Sequence, residues 1–256
     1  MPIATSNVHS RWNQPTQYEQ WYDSSLGRVY AESLARVLRP WLCESAGSLV
    51  VDVGCGPGLA MEQLLSTDSE IIGLDCSPEM ARRARGRIQQ TSGPRHFVVG
   101  TVQRMPFPDA QFDLALCINC LEFVESREVA FDEIARVLRP NGVAILGMLN
   151  RHSIWEWTRR LRRPFIRRAY YGGRFFSERD VSVCCRKAGL NVTEVKTAVH
   201  FPPIPPGPLR RVYDAVDQCA WRRSCSSGGV ILCRAVKQYT IPSDSRYGSL
   251  EDKNMV

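Results

Sequence analysis

Apolar residues change their spacing along the chain. Residues 18–42 place Leu34, Val37, Leu38 and Leu42 at helical intervals, and Pro40 with the small residues 45–48 closes the stretch. Beyond it come short β-rich runs, nearly continuous in apolar character, at 49–53, 70–74, 96–99, 112–118, 143–149, 192–199 and 230–236. Several are apolar on both faces, as a strand covered by helices on both sides must be. Helical spacing returns between them, predicting helices at 59–65, 78–90, 127–138 and 178–188. Pro78 after Ser77 is a start signal and Gly189 a stop signal. Strand and helix in alternation predict an α/β fold with a doubly wound, mostly parallel sheet.

Two segments break the alternation. One is 151–174, RHSIWEWTRRLRRPFIRRAYYGGR, in which Ile154, Trp157, Leu161 and Phe165 fall broadly on one side of a helix. The other is 201–227, opening with five prolines among residues 201–208 and continuing into a predicted helix near 209–221. The organisation that follows is an arm and helix over 1–45, a main domain over 46–236 carrying both insertions, and a polar, disordered tail over 237–256.

Composition narrows the class. With 44% hydrophobic and 23% charged residues, collagen-like, coiled-coil and wholly disordered chains are excluded. Ten cysteines fall below the density of a disulfide scaffold, and the first ten residues lack a secretory pattern. No run reaches the roughly 18 apolar residues of a membrane span. Reduced thiols and a cytoplasmic location are therefore expected. The net charge of +7 is local: 151–174 holds eight Arg and one acid, Glu156, and the remainder balances 25 basic against 25 acidic residues. That makes the segment a candidate lid, a basic amphipathic contact with an anionic membrane, or an RNA contact; the lid ranks first, and a general nucleic-acid coat is not indicated.

The strongest motif is LVVDVGCGPGLAMEQLL, 49–65. An apolar strand carrying Asp52 runs into Gly54, Gly56 and Gly58 and then a helix. Glycines suit a sharp strand-to-helix bend whose backbone touches a ligand, and amides at the helix start bind polar groups. A dinucleotide fingerprint would need its third glycine where Leu59 stands, so that reading is rejected.

The motif resembles the first motif of the class I S-adenosylmethionine-dependent methyltransferase family. The likeness continues through IIGLDCSPEM (71–80), RMPFPDAQFDLALCINCLEFV (104–124) and ARVLRPNGVAIL (135–146), in the family's order and spacing. It implies a seven-stranded, Rossmann-like methyltransferase fold with lid insertions, related most closely to small-molecule and quinone-biosynthesis types. It implies S-adenosyl-L-methionine as cofactor, lying on Gly54, Cys55, Gly56 and Gly58 near Asp52, with Asp75 gripping both ribose hydroxyls. Cys76, Met80, Asn119 and the leading-helix aromatic Tyr18 complete that set, with Trp21 and Tyr22 beside it. Where the family usually carries an acid for the adenine amino group, this chain has Thr101 followed by Val102, which implies a weakened adenine contact.

Methyl transfer asks the protein to orient a nucleophile and exclude water. The candidate bases at the carboxyl ends of strands are Glu122, His152 and His200. Asp113, at the opposite edge, reads as structural. Cys117 and Cys120 read as packing, and Cys184, Cys185, Cys219 and Cys225 are a minor thiophilic option. The expected partner is a small hydrophobic or acidic molecule. A catalytically idle ligand-binding module and an RNA methyltransferase stand as alternatives.

Overall fold

The computed structural model describes residues 15–44, 47–64, 69–88, 94–162, 173–223 and 225–238. Most of the expected arm, including His9, residues 163–172 of the Arg-rich stretch with Phe165, and the tail from 239 onward lie outside them.

The chain begins with α1 (Pro15–Asp23) and α2 (Ser25–Cys43). There follow β1 (Leu49–Val53), α3 (Leu59–Leu64), β2 (Glu70–Asp75), α4 (Pro78–Ile88), β3 (Arg95–Val99) and β4 (Phe112–Ile118). Next come α5 (Arg127–Val137), β5 (Leu138–Leu149), α6 (Ile154–Arg162), α7 (Glu178–Lys187) and β6 (Leu190–Ala198). A 3-10 turn (Gly207–Leu209), α8 (Arg210–Arg222) and β7 (Val230–Lys237) close the series.

The strands form one seven-stranded sheet in the order β3-β2-β1-β4-β5-β7-β6. Pairings from β3 through β5 are parallel, and β7 enters antiparallel between β5 and β6. Alternate residues of the central strands bury opposite faces. Val50, Leu114, Leu116 and Ile145 belong to one apolar layer; Val51, Ala115, Cys117 and Leu146 belong to the other. Strand order reverses between β1 and β4, so the crevice outside their carboxyl ends is the topological switch point, where open α/β sheets bind ligands. Asp113 is structural as expected, accepting from the Leu49 amide (2.9 Å) and from Arg139 (2.7 Å).

The expected helix over 18–42 is two helices. Ser24 caps α2, its Oγ accepting from the Gly27 amide at 3.0 Å. A Cβ on Gly27 would stand 2.0 Å from the Trp21 carbonyl oxygen, so only glycine lets α1 fold back this closely. Nor does Pro40 end the helix. It lies within α2, whose last turn is held by buried Trp41 and Leu42 and by a 2.6 Å bond from the Trp41 indole to Glu194. Glu19 then pins α1 to α4: buried itself, it accepts from Arg83 (3.0 Å) and Arg87 (2.6 Å). Burial pushes its carboxyl up, and the two guanidiniums outweigh burial to leave it below the usual range.

Candidate cofactor and acceptor site

The bend after β1 is tied to the tip of β2. The Gly54 and Cys55 amides both donate to the Leu74 carbonyl, at 2.7 and 3.0 Å. Gly54 has φ of 72°, and a Cβ there would meet Cys120 Sγ at 2.6 Å and Cys120 Cβ at 2.7 Å. Backbone conformation and crowding thus both demand glycine at this position.

Asp75 ends β2 inside this bend. One carboxylate oxygen accepts from the Gly56 amide (2.9 Å) and the other from the Ser77 amide (2.8 Å), which fixes its plane. Asp52 is buried beside it and its Oδ2 has no hydrogen-bond partner. Burial, and then the negative charge of Asp75, raises the Asp52 carboxyl to about 7. Met80 is buried, its amide donating to Ser77 Oγ at 3.2 Å. Cys55 is buried, and burial lifts its thiol well above the ordinary range; the half-buried Cys76 is pushed to about 12 by burial and Asp75. Both thiols are inert walls.

Tyr18 lies over the bend, its ring 4.0 Å from where a side chain on Gly56 would start. The expected adenine-edge pair is divided by the structure. Thr101 is exposed, and its hydroxyl accepts from the Gln103 amide (3.4 Å) in a tight turn, whereas Val102 is buried in the core.

At the end of β4, Asn119 adopts φ of 52° and donates its side-chain amide to the Tyr30 hydroxyl at 2.7 Å. Asn119 Oδ1 is buried with no hydrogen-bond partner. An aromatic series extends from there: Tyr18 to Tyr22 (5.0 Å between ring centres), Tyr22 to Trp21 (4.9 Å), Trp21 to Tyr30 (5.1 Å) and Tyr30 to Trp155 of α6 (5.6 Å). It ends with Trp155 to Phe201 (6.5 Å) and Phe201 stacked on Tyr213 of α8 (5.1 Å). Tyr30 is absent from the expected site residues. Its signal was the spacing of two helical turns from Tyr22, obscured by the break at Ser24.

The three candidate bases separate clearly. Glu122 is buried; its Oε1 accepts from the Leu149 amide, and its Oε2 has no partner. Burial raises its carboxyl to about 7, against the opposing pull of the Leu149 amide and Arg127. His152 is exposed, and its backbone amide bonds Asn150 Oδ1 at 2.9 Å. His200 is corrected from base to scaffold. Its Nδ1 meets Asp217 at 2.9 Å and its Nε2 meets Thr197 Oγ1 at 3.0 Å, so both ring nitrogens are engaged in a buried network. Asp217 also accepts from Arg36 at 2.5 Å; burial opposes its ionisation, but the His200 bonds prevail and hold its carboxyl at about 2.

The thiophilic option also fails among the described residues, where no three His, Cys, Asp or Glu side chains gather as a metal site. Cys185 is buried against Cys233 rather than Cys219 or Cys225.

Residues 51–146 match the family model described as "Methyltransferase domain". Among curated proteins, the O-methyltransferase cnsE of Penicillium expansum is 31% identical over 142 residues, spanning 54% of this chain and 49% of that protein. The ubiquinone biosynthesis O-methyltransferase of Xanthomonas axonopodis pv. citri is 27% identical over 220 residues, spanning 77% and 90%. This chain spans about half the length of the first curated relatives it matches. In three dimensions, a SAM-dependent methyltransferase from Thermotoga maritima superposes with a TM-score of 0.67 at 23% identity, covering 91% of this chain and 100% of the other.

Sheet order, glycine bend and strand-tip carboxylate together define a Rossmann-like fold of the methyltransferase type. Over residues 51–146 the chain is similar to the methyltransferase-domain family, and it shares the fold of a SAM-dependent methyltransferase.

Proposed function

We propose that this protein transfers a methyl group from S-adenosyl-L-methionine to a hydroxyl of a small hydrophobic molecule. The observation that carries the reading is the bend at 54–58, bonded to Leu74 and facing an Asp75 carboxylate held by the Gly56 and Ser77 amides. Its residues fit the cofactor. Asp75 would accept from the ribose hydroxyls, and the partnerless Oδ2 of Asp52 is an acceptor suited to a cationic group. Cys55, Cys76 and Met80 would wall the site and Tyr18 would cover it. With the Thr101 hydroxyl engaged in its own turn, adenine would rest on the backbone near Val102.

The bound cofactor supplies a methyl group on a cationic sulfur, which leaves readily in an in-line displacement. The chain must therefore aim the acceptor and keep water out. Tyr22, Tyr30 and Trp155 form the apolar wall, with α6 and the 201–227 segment as the lid on its outer side. Two buried polar atoms without partners accompany that wall, Asn119 Oδ1 and Glu122 Oε2. An acceptor hydroxyl has a single proton, which Glu122 Oε2 would take as base, leaving Asn119 Oδ1 to accept from a second donor group of the bound molecule. The two relatives named as O-methyltransferases support oxygen as the acceptor atom.

Titration calorimetry of the full chain with S-adenosylmethionine and S-adenosylhomocysteine tests the reading. Both are expected to bind, and Asp75→Ala to weaken both at least tenfold. Absence of binding, or affinity untouched by Asp75→Ala, would overturn it.

A further inference from the structure

The Arg-rich helix is turned opposite to the expectation for a simple lid. In α6, Trp155, Glu156 and Arg159 are buried, whereas Ile154, Trp157 and Leu161 point outward with 45%, 62% and 56% of their surface exposed. The buried arginine is fully employed: its guanidinium bonds Glu156 and lies 4.5 Å over the Phe175 ring. The same inversion occurs across the aromatic seam. Phe201 and Tyr213 bury the inner side of the proline-rich insert and α8, while Ile204, Leu209, Val212 and Val216 stand exposed. Nine large hydrophobic side chains are exposed among the described residues, and these two segments hold seven of them. Chance scatter would not concentrate them so.

Charge identifies the occupant. The segment 151–174 carries a net +7 in an otherwise neutral chain. Arg160 at the surface of α6, the exposed Arg211 and Arg222 of α8 and Arg223 just after it flank the apolar side chains. An outward Trp and Leu face beside arginines matches an interfacial helix, which buries its apolar residues at the acyl boundary and leaves its cations among anionic headgroups. No helix of the described residues is long and apolar enough to cross a membrane, so such contact would be peripheral. RNA fits less well, because a phosphate-binding face directs arginines outward and gains nothing from Ile154, Leu161, Val212 and Val216.

We infer that the outer faces of α6 and of the 204–216 segment form one docking surface for an anionic lipid bilayer. The surface stands independently of the acceptor assigned above, since its test uses no activity. It would bring the mouth of the aromatic wall against the layer in which hydrophobic molecules dissolve.

The full chain is co-sedimented with vesicles of phosphatidylcholine alone and of phosphatidylcholine with phosphatidylglycerol. Binding is expected only to the mixed vesicles, with a blue shift of tryptophan emission and partial loss at high salt. The double variants Trp157→Ser/Leu161→Ser and Val212→Ser/Val216→Ser change exposed residues only, and each is expected to lower partitioning by roughly tenfold with the unfolding temperature retained. Absence of binding to mixed vesicles overturns the inference. So does binding that both double variants keep in full, or binding to a single-stranded RNA that salt abolishes and both double variants retain while vesicles are ignored.

Discussion

Asn119, at the tip of β4, donates its side-chain amide to the phenolic oxygen of Tyr30 at 2.7 Å. The two residues are 89 positions apart, one at the switch point of the sheet and the other in the second turn of α2. This bond fixes the position of Asn119 Oδ1, the buried acceptor left for a second donor group of the bound molecule. It also explains why Asn119 tolerates a left-handed backbone, because Asn is among the few residues that enter that region at low cost.

Tyr30→Phe keeps the ring contacts with Trp21 and Trp155 and removes only the hydroxyl. We expect a stability loss of about 1 kcal/mol, together with a rise in acceptor KM of roughly fivefold and little change in cofactor affinity. Thermal melts and initial rates on a phenolic acceptor panel check it.

Gly54→Ala sets a Cβ against both heavy atoms of the Cys120 side chain. Cofactor affinity is expected to fall at least tenfold, measured by calorimetry. Adding Cys120→Ala is expected to restore little, since Cys120 Cβ is itself 2.7 Å from the new atom and φ remains 72°.

Helix propensity alone favours Ala over Gly by about 1 kcal/mol, so Gly27→Ala would read as stabilising in α2. The carbonyl oxygen of Trp21 at 2.0 Å reverses the sign. The variant is expected to lift α1 from α2, lowering the unfolding temperature and weakening the cofactor, which loses its Tyr18 cover. Proteolysis within 15–24 provides an independent readout.

Glu122 gives a pH test of the base assignment. Its folded carboxyl titrates at about 7 and its unfolded one near 4.5, so rising pH between those values ionises the unfolded chain first and lowers stability. Glu122→Gln removes that cost. The variant is expected to be more stable than the parent by about 1 to 3 kcal/mol at about pH 8, with the gain vanishing by about pH 4. Its kcat should fall roughly a hundredfold, and the parent's rise in kcat through about pH 7 should disappear.

His200 and Asp217 predict the opposite separation. Asp217 holds a carboxyl at about 2, below its unfolded value, so its contribution of about 2 kcal/mol is present above pH 4 and lost as pH falls through about 2. Asp217→Ala strands Arg36 and His200 and is expected to cost about 3 kcal/mol of stability. Activity per folded molecule should persist, which denaturant melts and active-fraction assays would establish.

Local pattern was sufficient for the sheet and for the glycine bend with its strand-tip acid. All seven strands overlap the apolar runs; the central ones, buried on both faces, leave an unbroken sequence trace, whereas the edge strands β3 and β6 are only partly buried and β5 starts five residues early, at Leu138. The bend at 54–58 and Asp75 were legible because glycine spacing and a strand-end acid are neighbours in sequence. The acceptor half was not. Tyr30, Trp155 and Phe201 meet only after α2, α6 and the proline-rich insert converge, and nothing local records that convergence. His200 misled for the same reason. Its position after β6 suits a base, but Asp217 of α8 and Arg36 of α2 reach its network from two other elements, joining Thr197 of β6 itself. In α6 helical spacing separates two sides without saying which is buried, and the structure turns Ile154, Trp157 and Leu161 outward.

The aromatic series from Tyr18 to Tyr213 has a practical consequence. Trp21 stands edge-on to Tyr22 and Tyr30, within one helical turn of the ring that covers the glycine bend. Any ligand that shifts Tyr18 disturbs the surroundings of that indole. The protein therefore carries its own optical gauge, and quenching or enhancement of ultraviolet emission can follow nucleoside loading in real time without a dye, an isotope or a known acceptor.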